Sequence, residues 1–295
     1  MTLICRGQNL EICRGQNPEY PAEMNYLTVR GTHIPVLGFG TYKLRGNHCV
    51  ESVRDAIDIG YRHIDTAVMY GNEAEIGDGM QQSRVPRQDL FLTTKLWPNS
   101  LTPASIRKTV SESLAYLKSD YIDLLLIHWP NPSIPLEDTL GTMDQLRLEG
   151  LVRFLGVSNF NLEWMERVEQ TGVPVITNQV EYHVLLSQDT LLGWLRQRDM
   201  FLTAYSPLAI GRLVNHSALQ EIGRKHDKTA TQIALRWLVQ QHGVAAVPKA
   251  STAEKRRKNF DIFDFELDPE DLERIALLEK DQRFIDLPGI APKWD

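Results

Sequence analysis

The sequence predicts an α/β protein built as one closed (β/α)8 barrel of the TIM type. Three observations carry that expectation. Short apolar runs alternate with stretches of helical period along the whole chain from Asn25. Those runs are mostly continuous rather than alternating polar and apolar, which suits parallel strands covered on both faces. Eight such units follow one another with no interior linker, low-complexity tract or break in composition, so a single domain is favoured and a doubly wound open sheet is the structural rival.

The elements follow in order. In residues 1–23, "ICRGQN" occurs at Ile4–Asn9 and again at Ile12–Asn17. True fold repeats run to about 20 residues or more. This segment is therefore expected to be a non-native-like or disordered leader, an extension or start-site artefact ahead of the barrel of residues 24–295. "NYLTVRGTHIPV" (25–36) reads as a small hairpin across the barrel bottom, with Gly31 near its turn. The eight strands are expected at "VLGFG" (36–40), "RHIDT" (62–66), "LFLTTKLW" (90–97) and "YIDLLLIHW" (121–129), then "VRFLGVSN" (152–159), "VITNQVEY" (175–182), "MFLTAYSP" (200–207) and "VAAVPKA" (244–250).

Helices fall between them. Thr102 can cap a helix that begins at Pro103 and lines up Ile106, Val110, Leu114 and Leu117 on one face. "TATQIALRWLVQQHG" puts Ile233, Ala234, Trp237 and Leu238 on one face and closes at Gly243. Asp268 followed by Pro269 and an acidic first turn marks the start of a last helix.

Composition narrows the function. The chain has 295 residues, 42% hydrophobic and 24% charged, with a formal net charge of -6. An acidic balance argues against nucleic acid or an anionic membrane as main partner. No apolar stretch approaches the roughly 20 residues of a membrane helix, and no secretion signal opens the chain. Cys5, Cys13 and Cys49 give neither a disulfide framework nor metal spacing. A reducing cytoplasm, a small-molecule substrate and a monomer are expected.

In such a barrel the chemistry sits where the strands end. Those ends read Asp65, Lys95, His128, Ser158–Asn159, Gln179, Tyr205–Ser206 and Lys249. Alone, each has a bland explanation, such as a helix cap or a solvated lysine. Polar endings on nearly every strand of one barrel mouth outweigh it. Tyr70, just past Asp65, adds a phenol with an ordinary pKa of about 10. A Lys95 ammonium beside it favours the phenolate, and Asp65 holds Lys95 charged. Tyr70 then serves as proton donor while His128 orients a substrate carbonyl. That set suits protonation of an oxygen while a hydride reaches carbon. The set holds no hydride source of its own, so a nicotinamide is implied.

The usual dinucleotide glycine fingerprint is missing, and "GFGTYK" is too weak to replace it. Ser158, Asn159 and Gln179 suit a carboxamide, and Tyr205 offers a face for the nicotinamide ring. Lys249, Lys255, Arg256 and Arg257 form a basic stretch suited to phosphate. A metal-dependent hydrolase would need clustered ligands, and no HxH or HExxH occurs. A short-chain dehydrogenase would need Tyr and Lys four apart on one helix, which Tyr70 and Lys95 are not.

From Met24 to Asp295 the sequence resembles the aldo-keto reductases, in "YRHIDTAVMYGNE", "TTKLW", "DLLLIHWP", "GVSNF", "TNQVEYH", "AYSPL" and "VPKAST". The resemblance implies NADPH-dependent carbonyl reduction and a catalytic tetrad at Asp65, Tyr70, Lys95 and His128. It implies a carboxamide held by Ser158, Asn159 and Gln179, a ring stacked on Tyr205, and a pyrophosphate near Ser206 and Leu208. Lys249, Thr252, Lys255, Arg256 and Asn259 would line the adenosine phosphate end. Tyr42, Trp97 and Trp129 would form aromatic walls around the substrate. The ending "GIAPKWD" is similar to that of the bacterial 2,5-diketo-D-gluconate and methylglyoxal reductases. The chain departs from the family's K-S-x-x-x-x-R and E-N patterns, with Ala250, Lys255 and Lys258 at the matching positions. Lysine meets phosphate as a point charge where arginine offers a fork. NADPH is still expected over NADH, because the stretch stays basic.

Overall fold

The computed structural model describes residues 12–14 and 24–294. Strands β1 (Ile12–Arg14), β2 (Asn25–Val29) and β3 (Thr32–Pro35) form a small antiparallel sheet in that order. The expected hairpin is β2–β3. Its turn places Arg30 at φ 48° and Gly31 at φ 78°, the paired left-handed geometry that matches strand twist in tight hairpins. The β1 strand adds to the outer edge of β2, pairing Ile12 with Leu27. Apart from Ile12–Arg14, the expected leader lies outside the described residues.

The eight expected barrel strands are all present. They are β4 (Gly38–Gly40), β5 (His63–Asp65), β6 (Phe91–Leu96), β7 (Ile122–Ile127), β8 (Val152–Ser158), β9 (Val175–Glu181), β10 (Phe201–Tyr205) and β11 (Val244–Ala246). Each pairs in parallel with the next. A parallel bridge between Leu37 and Ala246 closes the circle, with the Ala246 amide donating to the Val36 carbonyl at 2.8 Å. At this seam a Cβ on Gly40 would stand 2.7 Å from the Val247 carbonyl oxygen, so only glycine lets the two strands approach. Every residue of β6, β7 and β9 is buried, which is why their sequences lack the two-residue alternation of a half-exposed strand.

Helices α1 (Gly46–Ile59), α2 (Glu73–Gln81), α3 (Pro103–Leu117), α4 (Leu136–Leu148), α5 (Leu162–Gln170) and α6 (Asp189–Arg196) follow β4 to β9 in turn. After β10 come α7 (Ser217–His226) and α8 (Ala230–Val239), and after β11 come α9 (Ala253–Phe260) and α10 (Pro269–Ala276). Ile106, Val110, Leu117, Ile233, Ala234 and Leu238 are buried as expected, while Leu114 and Trp237 are partly covered. Asp268 caps α10 through a reciprocal box with Asp271, which satisfies two backbone donors at once. Thr102 sits at the start of α3, but its hydroxyl donates to Ser105 Oγ at 2.9 Å instead of accepting from the helix backbone. Among the described residues no helix is long and apolar enough to cross a membrane.

Candidate active site

The carboxyl ends of the strands bring the predicted polar residues together. Asp65 ends β5 and Lys95 lies one residue from the end of β6, both buried. Lys95 Nζ donates to Asp65 Oδ1 at 2.7 Å and to the Thr66 carbonyl at 2.7 Å. Gln179 on β9 donates to the other carboxylate oxygen, Asp65 Oδ2, at 2.8 Å. Burial lowers the Lys95 pKa, and the charge of Asp65 and its hydrogen bond oppose that shift.

Tyr70 stands above this pair on a 3-10 turn, Val68–Tyr70. Its part-exposed ring lies 5.2 Å from Lys95 Nζ, measured to the centroid. Lys95 was expected to lower the phenol's pKa. The structure gives the opposite direction: desolvation raises it well above 10, and the negative charge of Asp65 adds to the rise. The phenol is therefore protonated throughout the neutral range.

His128 follows β7 and presents its ring edge to Tyr70, with centroids 5.9 Å apart. Burial pushes its pKa well below 6.5, and the Lys95 charge pushes the same way. The imidazole is neutral and so carries one N–H. Its Nδ1 is buried without a partner among the described residues. Trp97 packs edge-on against the same ring at 5.2 Å. Tyr42, 47% exposed, contacts the Tyr70 ring at 4.9 Å. Trp129 is buried beneath Trp294, 6.2 Å between centroids. Trp294 is further held by a hydrogen bond to Asp286 and by the Arg283 guanidinium 3.7 Å from its ring. The sequence reading did not single out Trp294. Its only signal was an aromatic in a tail of turn-forming residues.

On the other side of the mouth, Ser158 Oγ donates to the Gln179 carbonyl at 2.8 Å. Asn159, at φ 63°, donates to the His128 carbonyl at 2.9 Å and accepts from the Tyr205 hydroxyl at 2.7 Å. These bonds leave Gln179 Oε1 and the second N–H of Gln179 Nε2, one lone pair on Asn159 Oδ1 and one on Ser158 Oγ open to a ligand. A carboxamide, with two N–H donors and one acceptor, fits that remainder. Beyond Tyr205 the backbone is left-handed at Ser206, Ala209 and Ile210, a costly run for residues that carry a Cβ. Leu208 lies within it, partly covered.

Three lysines gather at the far end. Lys249 is depressed first by burial, then by the charges of Lys255 and Lys43. None of the three forms an ion pair among the described residues. Like charges that depress one another in this way fit a polyanion such as a nucleotide phosphate. Lys43, on the loop after β4, was not singled out from sequence. Thr252 caps α9, accepting from the Lys255 amide at 3.3 Å. Asn259 is buried on the same helix. Arg256 stands apart from the cluster. It is 5% exposed and turned toward α1, donating to Asp55 Oδ2 at 2.6 Å and Ser52 Oγ at 3.1 Å. At the opposite end of the barrel a cavity of about 650 Å³ lies between Tyr26, His33, Phe91 and Phe154, and no predicted site residue lines it.

A sequence model of the Aldo/keto reductase family matches residues 36–280. The chain belongs to the aldo-keto reductase family. It is 35% identical over 266 residues to methylglyoxal reductase DkgB of Escherichia coli O157:H7, covering 89% of this chain and 99% of that one. It is 39% identical over 255 residues to glyoxal reductase of Bacillus subtilis (strain 168), covering 86% and 92% respectively. The crystal structure of a candidate 2,5-diketo-D-gluconic acid reductase B superposes with a TM-score of 0.89 at 42% identity, covering 92% of this chain and 98% of that one. As an aldo-keto reductase the chain is an oxidoreductase of carbonyl compounds, and its barrel is that of its relatives.

Proposed function

We propose that this chain reduces small aldehydes and ketones with NADPH, using Tyr70 as the proton donor. The carrying observation is the buried Lys95–Asp65 pair beneath the part-exposed phenol of Tyr70, with the neutral His128 edge-on beside it. Ser158, Asn159, Gln179 and Tyr205 would hold the nicotinamide end, and Ser206 and Leu208 the pyrophosphate. Lys43, Lys249 and Lys255, with Thr252 and Asn259, would hold the adenosine phosphate end. A reduced nicotinamide bound there supplies the hydride.

The residues of the chain do the rest. His128 donates its N–H to the substrate oxygen and fixes the carbonyl in place. Tyr70 then gives its proton to that oxygen. The raised pKa of the phenol does not block this step, because an alkoxide is a far stronger base than a phenolate. As the phenolate forms, the Lys95 ammonium stabilises it, and Asp65 keeps that ammonium charged in a buried place. Tyr42, Trp97 and the Trp129–Trp294 pair would wall the substrate. Such a pocket suits methylglyoxal, a diketo-sugar acid or an aromatic aldehyde, the first two in keeping with the names of the relatives. A monomer in the cytoplasm completes the reading.

The test is oxidation of NADPH and NADH in parallel against those three substrates, followed by the absorbance of the reduced nicotinamide. Turnover is expected with NADPH and is abolished in Tyr70→Phe, which still binds the cofactor. Tight NADPH binding without turnover of any carbonyl would refute the catalytic reading.

A further inference from the structure

The Tyr70 turn is held by a side chain outside the tetrad. Asn72 is fully buried at the position that precedes α2. Asparagine there commonly accepts a hydrogen bond from its own helix, but this side chain makes none. It is turned the other way. Its amide donates to the Thr41 carbonyl at 3.0 Å and to the Leu44 carbonyl at 3.2 Å, and its oxygen accepts from the Thr66 hydroxyl at 3.0 Å.

Two of its partners, Thr66 and Thr41, bear directly on the site, while the Leu44 carbonyl and Cys49 Sγ (3.9 Å) belong to the core beside it. The Thr66 carbonyl takes one of the hydrogen bonds of Lys95 Nζ. Thr41 donates from both its amide and its hydroxyl to the Asp65 carbonyl, at 3.1 and 2.9 Å. Between Thr41 and Leu44 lies Tyr42, whose ring meets that of Tyr70. Between Thr66 and Asn72 lies the turn with Tyr70 at its end. The Thr66–Asn72 bond therefore closes the base of the loop that carries the phenol, and the amide fastens that base to the loop carrying Tyr42.

We infer that Asn72 is a positioning residue for the proton transfer, acting through Thr66 and Thr41. The inference rests on Tyr70 being the proton donor. Gly71, at φ 59° and with nothing within 4 Å of a Cβ built on it, gives the turn a free hinge on one side. The short bonds within the turn, from the Tyr70 amide to the Ala67 carbonyl and from Gly71 to Val68, fix its shape but not its aim. Aim comes from the Asn72 amide. A misplacement of about 1 Å in a reacting group can cost about 100-fold in rate. The loss falls on chemistry, because no Asn72 atom is placed to touch substrate or cofactor.

The experiment compares Asn72→Ala, Thr66→Val, Thr66→Ser and Tyr70→Phe in the full chain. It reads kcat and KM for methylglyoxal, the NADPH dissociation constant, and the thermal midpoint. Asn72→Ala and Thr66→Val are expected to lower kcat by about 100-fold, with KM and NADPH affinity within about twofold of the parent. Thr66→Ser is expected to restore most of the rate that Thr66→Val loses, since it returns the hydroxyl. Should Asn72→Ala fail to fold, the nearly isosteric Thr66→Val decides alone. Full activity in Asn72→Ala or Thr66→Val, or a loss spread equally over kcat, KM and cofactor affinity, overturns the inference. Full activity in Tyr70→Phe would instead remove the reading it rests on, so the two failures are told apart.

Discussion

Replacing Asp65 by Asn keeps the shape of the side chain and removes one charge from the most deeply buried ion pair of the site. Lys95 is 0% exposed, and its Nζ has Asp65 Oδ1 and the Thr66 carbonyl as partners, both at 2.7 Å. After the substitution the ammonium keeps neutral acceptors only. Taking one partner from a buried pair costs about 3–5 kcal/mol. The sign with pH follows from the direction of the shift. Burial already lowers the Lys95 pKa below its ordinary 10.5, against the pull of Asp65. Without Asp65 it falls further, so the folded state holds the proton less tightly than the unfolded chain. The penalty is then full below the folded pKa and shrinks as pH rises from there toward 10.5, where both states shed the proton. The assay is urea unfolding followed by tryptophan fluorescence at about pH 7 and about pH 9.5. Asp65→Asn, Lys95→Met and the double variant are compared. Asp65→Asn is expected to be the least stable at pH 7, to recover partly at the higher pH, and to be rescued by Lys95→Met, because a neutral pair needs no counter-charge. Stability within about 1 kcal/mol of the parent at pH 7, or a double variant no more stable than Asp65→Asn, would refute the reasoning.

Three further outcomes are expected. His63 is 1% exposed inside the barrel, its Nε2 3.0 Å from Thr93 Oγ1, and burial lowers its pKa from 6.5 to about 4. Its share of stability is complete above pH 6.5 and is lost as pH falls to about 4, about 3 kcal/mol in all. Unfolding free energies across that range should fall less steeply in His63→Asn, and an unchanged slope would contradict the assignment. At the basic cluster, Lys255→Ala is expected to weaken NADPH more than NADH in fluorescence titrations. Equal losses would place the extra phosphate elsewhere. Arg256→Ala is expected to cost about 2 kcal/mol of stability, since its partners are Asp55 and Ser52, while leaving the ratio of the two affinities unchanged.

Much of the fold was legible because parallel strands buried on both faces write themselves as apolar runs, and all eight lie where those runs lie. The strand ends were legible for a related reason. Polar residues that terminate buried parallel runs all come out at the carboxyl end of the barrel. Direction and aim were not legible. That the Tyr70 pKa rises instead of falling depends on how far the phenol is desolvated and on the negative charge of Asp65 nearby, neither of which spacing encodes. Arg256 and Lys255 are neighbours in a run of cations, yet helical geometry sends one inward to α1 and leaves the other exposed. Trp294 reaches Trp129 only because the tail is fastened to the barrel, its Phe284 and Ile285 amides donating to the fully buried Glu181. Nothing in the sequence singled out Asn72, and only the three-dimensional path of the Thr41 loop shows what its amide holds.

The polar residues of the mouth also constrain one another, which decides how their substitutions combine. Asp65 gives one carboxylate oxygen to Lys95 and the other to Gln179. Gln179 in turn lends its backbone carbonyl to Ser158, and Asn159 links His128 to Tyr205. The side proposed for proton transfer and the side proposed for the cofactor are thus one hydrogen-bonded chain running across five strands. Removing Gln179 leaves Asp65 Oδ2 open, and the carboxylate can then swing away from the line to Lys95. A cofactor-side variant such as Gln179→Ala is therefore expected to lower kcat as well as cofactor affinity. Its effect should not add to that of Asp65→Asn, because residues that share a partner report the same interaction twice. Strict additivity of the two would mean that the chain is two independent sites that merely adjoin.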